Sequence, residues 1–405
     1  MKRAIAVFSR DKAMSKKTTQ LVHLGRASAD AANAVNPPLV RASTTIFSTL
    51  AEFKNSYKGV TFETPRYGRS GTSTVFELQT AMAALCETES CIATSSGLSA
   101  VAAVIGAHSA PGKRILVQDC VYGPTRVLAE KELDKLGSEV VFFDTLDALE
   151  SHLDERTALV FIEVPGSLTM DMIDVEAVCK LAKHYSVPVA CDSSWGTPLF
   201  FDAHGLGINI SIHAATKYIG GHSDIMLGLI TGSYDDLSST RDWCAHYGST
   251  AAPDVCWLGL RGLRTLDVRM RRHEENARHV AQWLQGQPQI KKILNPALDD
   301  DPGHELWKRQ FTGGAGPFTI ELVACSEEEF AKLIDSLSLF GLGTSWGGFE
   351  SLVMPAIPHH LRALDVLPNE GRLLRLHIGL EHSEDLCADI GKALAHISAT
   401  RPMQN

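Results

Sequence analysis

A chain of 405 residues, 44% hydrophobic and 21% charged, is long enough for two or three domains with ordinary buried cores. Its 38 Lys and Arg against 47 Asp and Glu give a net charge of −9, which argues against nucleic acid and anionic membranes as main partners, since both require a basic face. Nine cysteines scattered without a CxxC pair, and no apolar stretch near the ~20 residues of a membrane span, lead us to expect a cytoplasmic protein without a disulfide framework or thiolate zinc site.

The amino terminus is basic, but its apolar run stops after about five residues, short of a signal peptide. Met14 offers a second start, so residues 1–13 read as an extension. Residues 1–66 lack sustained periodicity and carry turn signals at Asn36-Pro-Pro38 and Tyr57-Lys-Gly59, so they are predicted to form an extended arm packed on a neighbouring subunit. From about residue 74, Val75, Phe76, Leu78, Ala81, Met82 and Leu85 recur at helical spacing, and Ser95-Ser-Gly97 opens a second helix. Short apolar runs at 114–117, 140–143, 159–162, 187–191, 208–212 and 226–230 then alternate with helical stretches such as 175–184. Runs apolar on both faces and separated by helices predict an α/β fold with a mainly parallel sheet covered on both sides. A long helical pattern over 257–286 precedes two alternating strands, 318–323 and 373–378, which predict a smaller α+β unit. The domains are therefore drawn as an arm (1–66), a large domain (67–260) and a small one (261–405).

Four features in this order suggest one chemistry. Asp192 closes an apolar strand, and an acid at the carboxyl end of a parallel strand points into the crevice where α/β proteins bind ligands, although it equally suits a capped turn. Lys217 follows another apolar strand and precedes Tyr218-Ile-Gly-Gly221, an odd place for a solvated charge. Such an Asp and Lys suit pyridoxal phosphate (PLP): the Asp keeps the pyridine nitrogen protonated, and the Lys anchors the cofactor covalently. Ser96 and Gly97 open a helix whose amino end can face a phosphate, and Thr216 adds a hydroxyl. Tyr122 stands at a further strand end, where an aromatic can stack on the cofactor ring or simply fill a turn. Nothing resembling HExxH or another metal-ligand spacing occurs, so no metal is expected.

From about residue 20 to 395 the sequence resembles the Cys/Met-metabolism family of PLP enzymes. The resemblance is carried by Tyr67-Gly-Arg-Ser-Gly71, Val164-Pro-Gly-Ser-Leu-Thr-Met170, Ala214-Ala-Thr-Lys-Tyr-Ile-Gly-Gly-His-Ser-Asp224, Arg261-Gly-Leu-Arg-Thr-Leu266, Ser345-Trp-Gly-Gly-Phe-Glu350 and Arg375-Leu-His-Ile-Gly-Leu-Glu381. It implies the fold-type I PLP-dependent transferase fold with a seven-stranded sheet, and a homotetramer of dimers whose active sites are shared. Tyr67 and Arg69 resemble the pair that reaches a neighbouring subunit's PLP phosphate, Tyr67 also lying near substrate. Gly97, Leu98 and Thr216 match the phosphate cup, although many relatives carry Met where Leu98 stands. Arg375 matches the arginine that grips the substrate α-carboxylate, with Ser345 and Trp346 beside it and Tyr122 above the ring. Trp346 and Pro124 resemble the β-acting branch. A further tyrosine expected near 240–250 is not placed, Tyr247 being nearby but unaligned. The implied reaction is C–S β-elimination on L-cystathionine, with Lys217 and Tyr122 moving the protons and homocysteine, pyruvate and ammonia as products. The alternatives are a cysteine desulfhydrase, a γ-acting enzyme, or a PLP-binding regulator with little turnover.

Overall fold

The computed structural model of the chain describes residues 16–27, 33–357 and 372–398. The extension expected over 1–13 lies outside the described residues. Within the predicted arm, Lys17–His23 and Leu50–Ser56 are short helices rather than extended chain, the second capped by the Thr49 side chain accepting from the Glu52 N–H.

The six apolar runs and one strand that was not read from the sequence, Ser90–Thr94, form one sheet: β1 (Ser90–Thr94), β2 (Arg114–Gln118), β3 (Glu139–Phe143), β4 (Thr157–Glu163), β5 (Val189–Asp192), β6 (Ile210–Ala214) and β7 (Gly228–Gly232). Their spatial order is β1-β7-β6-β5-β4-β2-β3. Only β7 runs against its neighbours. Every residue of β1, β2 and β7 is buried, as a sheet covered on both faces requires. Val160, Ile162, Val189 and Cys191 pack into one face, and Leu159, Phe161, Ala190 and Ile212 into the other. Parallel pairing brings the carboxyl ends of β4, β5 and β6 together: Glu163 pairs with Asp192, and Asp192 with Ile212. This is the edge at which an open α/β sheet offers its crevice.

A second sheet has the order β10-β11-β12-β9-β8, comprising β8 (Ile290–Leu294), β9 (Pro317–Leu322), β10 (Gly341–Leu342), β11 (Leu352–Ala356) and β12 (Leu373–His377). Leu374 and Leu376 of β12 fill its core with Phe318 and Ile320. Strand alternation therefore turns Arg375 and His377 to the other face.

The helical pattern read across 257–286 resolves into two helices, Pro253–Leu263 and Leu266–Gln285. The longer one serves both cores. Leu266 and Met270 belong to the first, whereas Ala277, Val280, Ala281 and Leu284 belong to the second. Arg269, beside Met270, donates to the Tyr218 carbonyl at 2.6 Å and the Gly262 carbonyl at 2.7 Å. The first bond ties the Lys217 turn, and the second the preceding helix, to the helix that serves both cores.

Candidate active site

At the end of β5 the Asp192 carboxylate is held by Ser194. The Ser194 N–H donates to Oδ1 at 3.0 Å and its hydroxyl at 2.6 Å, while that hydroxyl also accepts from the Ala214 N–H at 2.7 Å. One serine thus ties the acid to the end of the neighbouring strand. Burial pushes the carboxyl pKa up, and the two Ser194 bonds and Lys217 pull against that shift.

Lys217 follows β6 in a tight turn, its N–H donating to the Ala214 carbonyl at 2.9 Å. Its Nζ donates to Ser345 Oγ at 3.0 Å and lies 5.1 Å from the centre of the Trp346 ring. Burial, reinforced by the Arg375 charge, pushes the amine down to about 8, with Asp192 opposing. A substantial uncharged fraction near neutrality is what a nucleophilic or proton-accepting lysine requires.

Arg375 is buried and donates through Nη2 to the carbonyls of Thr344 at 3.0 Å and Ser345 at 2.9 Å. Its Nε is buried with no hydrogen-bond partner. An incoming carboxylate would satisfy that donor in the bidentate manner typical of arginine. Tyr122 sits at the mouth, 48% exposed, where it begins the Gly123–Glu132 helix. Burial of the phenol raises its pKa, Glu163 and Asp192 add to this, and Arg375 opposes.

Ser96 caps the Gly97–His108 helix, its Oγ accepting from the Ser99 N–H at 3.0 Å. The Gly97 and Leu98 N–H groups lie in the first turn, where no intrahelical acceptor exists. A Cβ on Gly97 would lie 2.7 Å from the Ala214 Cβ, so glycine lets the helix start approach the end of β6. Leu98 is 40% exposed. Thr216 Oγ1 accepts from the Leu227 N–H at 2.9 Å and so braces the turn before Lys217.

The fold therefore brings Lys217, Asp192, Tyr122, Ser345, Trp346 and Arg375 together, with Ser96, Gly97, Leu98 and Thr216 on the adjoining helix start and turn. Tyr67 and Arg69 bond elsewhere in their own chain. Tyr67 is exposed and bridges to Thr44, and Arg69 donates to the Ala245 carbonyl at 2.7 Å. Tyr247 is exposed and stacks on Trp243 at 4.1 Å.

Sequence reasoning missed Glu163. Its Oε2 accepts the Tyr122 N–H at 2.7 Å, and it is the in-register neighbour of Asp192. Burial and the Asp192 charge push its carboxyl well above the usual range. The signal was available, because Glu163 closes an apolar strand as Asp192 does. Among the described residues, no group of three or more His, Cys, Asp or Glu is placed to hold a metal, and no helix is long and apolar enough to cross a membrane.

The sequence profile of the Cys/Met metabolism PLP-dependent enzymes matches residues 18–395. A cystathionine β-lyase of Escherichia coli K12 is 38% identical over 391 residues, covering 94% of this chain and 99% of that protein. An L-alanine/L-glutamate racemase of Wolbachia pipientis is 36% identical over 396 residues, covering 94% and 98% respectively. The crystal structure of cystathionine γ-lyase from Lactobacillus plantarum complexed with L-serine has a TM-score of 0.86 at 29% identity, covering 95% of this chain and 99% of that one.

Proposed function

The chain belongs to the Cys/Met metabolism family of PLP-dependent enzymes, and from that premise we propose that it is a carbon–sulfur β-lyase cleaving L-cystathionine to homocysteine, pyruvate and ammonia. The site residues fit pyridoxal phosphate: a buried strand-end carboxylate for the ring nitrogen, a lysine amine of lowered pKa, and a helix start with unpaired N–H groups for the phosphate. When bound, that cofactor supplies an electron sink for charge developing at the substrate Cα.

The chain's own residues account for the rest. Arg375 and Ser345 orient the α-carboxylate. Lys217 takes the Cα proton with the Tyr122 phenol assisting, and then delivers a proton to the departing sulfur. Asp192 keeps the ring nitrogen charged, and Tyr67, Arg69, Ser96, Gly97, Leu98 and Thr216 hold the phosphate. The observation that carries the β-acting reading is Trp346, whose indole lies 5.1 Å from Lys217 Nζ and matches the β-acting relatives at a position where γ-acting ones tend to be smaller.

The test is a product assay of the purified protein with L-cystathionine, beside a Lys217→Ala control. Pyruvate with homocysteine supports the reading; 2-oxobutyrate assigns a γ-acting enzyme instead, and turnover retained in the control removes Lys217 from its role. The similarity to a racemase favours a second reading, in which a Cα proton removed in the same site is returned to the opposite face. Formation of D-alanine or D-glutamate without pyruvate would select it.

Assembly and location belong to the same proposal: a cytoplasmic homotetramer of dimers serving methionine biosynthesis. What supports the assembly is an arm that leaves Ile46, Leu50 and Tyr57 exposed, with Tyr67 exposed beside Thr44 and Arg69 bonded to the Ala245 carbonyl.

A further inference from the structure

Behind the catalytic lysine lies a fully buried pair of histidines that the reaction does not use. His377 is two residues beyond Arg375 on the same face of β12, and His273 belongs to the Leu266–Gln285 helix; both have 0% exposure. Their ring centres are 5.2 Å apart, and the Tyr218 ring packs against both and against Trp346.

Hydrogen-bond partners assign the proton on each ring. The Gly347 N–H donates to His377 Nε2 at 3.0 Å, so Nε2 presents its lone pair and Nδ1 carries the proton. The Gly348 carbonyl, 3.3 Å from the same nitrogen, would favour the opposite tautomer, but that choice would orphan the N–H of buried Gly347. His273 Nδ1 donates to the Ile378 carbonyl at 2.8 Å, which leaves His273 Nε2 as an acceptor. The two remaining nitrogens, His377 Nδ1 and His273 Nε2, are buried without partners. One is a donor and the other an acceptor, on neighbouring rings. A direct N–H···N bond after a small ring rotation, or one bridging water, satisfies both.

The bond from Gly347 to His377 secures the turn that lines the site. Gly347 adopts φ +85°, and a Cβ there would lie 3.0 Å from Lys217 Cα and 2.9 Å from the Tyr218 nitrogen, so the turn rests directly on the lysine backbone. Immediately before it, Ser345 Oγ accepts from Lys217 Nζ and the Ser345 carbonyl accepts from Arg375. Moving this turn would displace the amine and the carboxylate anchor together.

We propose that His377, held in its Nδ1–H tautomer by His273, is a positioning residue that fixes the Ser345–Gly347 turn and through it the hold on the substrate carboxylate. The proposal rests on the reading of Arg375 and Lys217 as substrate-handling groups, while its tautomer assignment does not. His377→Phe keeps a ring but removes the acceptor, and His377→Gln restores an acceptor close to Nε2. With L-cystathionine, KM in His377→Phe rises about tenfold while kcat falls less, and His377→Gln recovers most of that loss, since one hydrogen bond to the turn is at stake. An unchanged KM in a folded, cofactor-loaded His377→Phe overturns the proposal.

A second measurement covers the case in which His377→Phe fails to fold. Nitrogen-15 spectra of histidine-labelled holoenzyme, assigned with His377→Gln, show a protonated Nδ1 and bare Nε2 at His377, and His273→Phe shifts that Nδ1 signal. A protonated Nε2 at His377 overturns the proposal. If the wild-type protein leaves L-cystathionine untouched, the β-lyase reading fails, and the nitrogen spectra still decide the tautomer.

Discussion

At the scale of single residues, the site is organised by groups whose charge is costly where it stands. Lys217 is the clearest case: burial and Arg375 bring its pKa from 10.5 to about 8, so half of the amine is uncharged at a pH where an ordinary lysine is almost wholly protonated. In the cofactor-free protein, acylation of Lys217 by an amine-selective reagent, read by peptide mass spectrometry, should rise through about pH 8 and then level off. A rise centred near 10.5 would mean that the amine is solvated. Glu163 makes the complementary case. Its carboxyl pKa is raised by burial and by Asp192, so the folded state binds a proton that the unfolded chain gives up near its ordinary value of 4.5. Stability therefore falls as pH rises from 4.5 through the raised folded pKa. Glu163→Gln keeps an oxygen to accept the Tyr122 N–H and removes the titration. The melting temperature of the cofactor-free variant should match the wild type near pH 4 and exceed it by about 2 °C at pH 8. A gap that narrows with rising pH would refute the assignment.

At the scale of elements, two strand ends and one helix start converge because small residues let them. Gly97 is the tightest instance, with the position of a Cβ 2.7 Å from Ala214. Gly97→Ala must push the helix start away from β6, at a cost of about 1–3 kcal/mol for overpacking. It should lower the melting temperature and weaken cofactor binding about tenfold in an absorbance titration, since the N–H groups proposed to hold the phosphate move with the helix. Unaltered affinity would place the phosphate elsewhere. Elements of this kind were legible in the sequence: runs apolar on both faces announced the parallel sheet, and Asp192 and Lys217 were found because each follows such a run. Longer-range relations were not. The hydrogen bond from Lys217 to Ser345 joins residues 128 apart, and no local pattern shows it. The helical periodicity over 257–286 continues through the break after Leu263, since apolar residues recur on both sides while Thr265, at φ −112° and ψ 12°, leaves the helical conformation. Glu163 carried the same strand-end signal as Asp192, and only the pairing of β4 with β5 makes it a neighbour of the site.

At the scale of the whole molecule, the governing relation is between the arm and the crevice. Arg69 donates to the Ala245 carbonyl, and Tyr67 is 51% exposed beside Thr44, so neither contacts Lys217 of its own chain. If both serve the phosphate, they must do so across a two-fold interface, where each chain gives its arm to the other. Complementation tests this directly. A chain carrying Arg69→Ala is defective in what it lends, and one carrying Lys217→Ala is defective in what it holds. Co-expressed, half of the randomly formed dimers pair one of each, and such a dimer has one site with both defects and one with neither. About a quarter of wild-type sites should therefore be intact, and activity should return to about that fraction although each variant alone is nearly inert. Activity no higher than the sum of the two separate variants would show that every chain completes its own site.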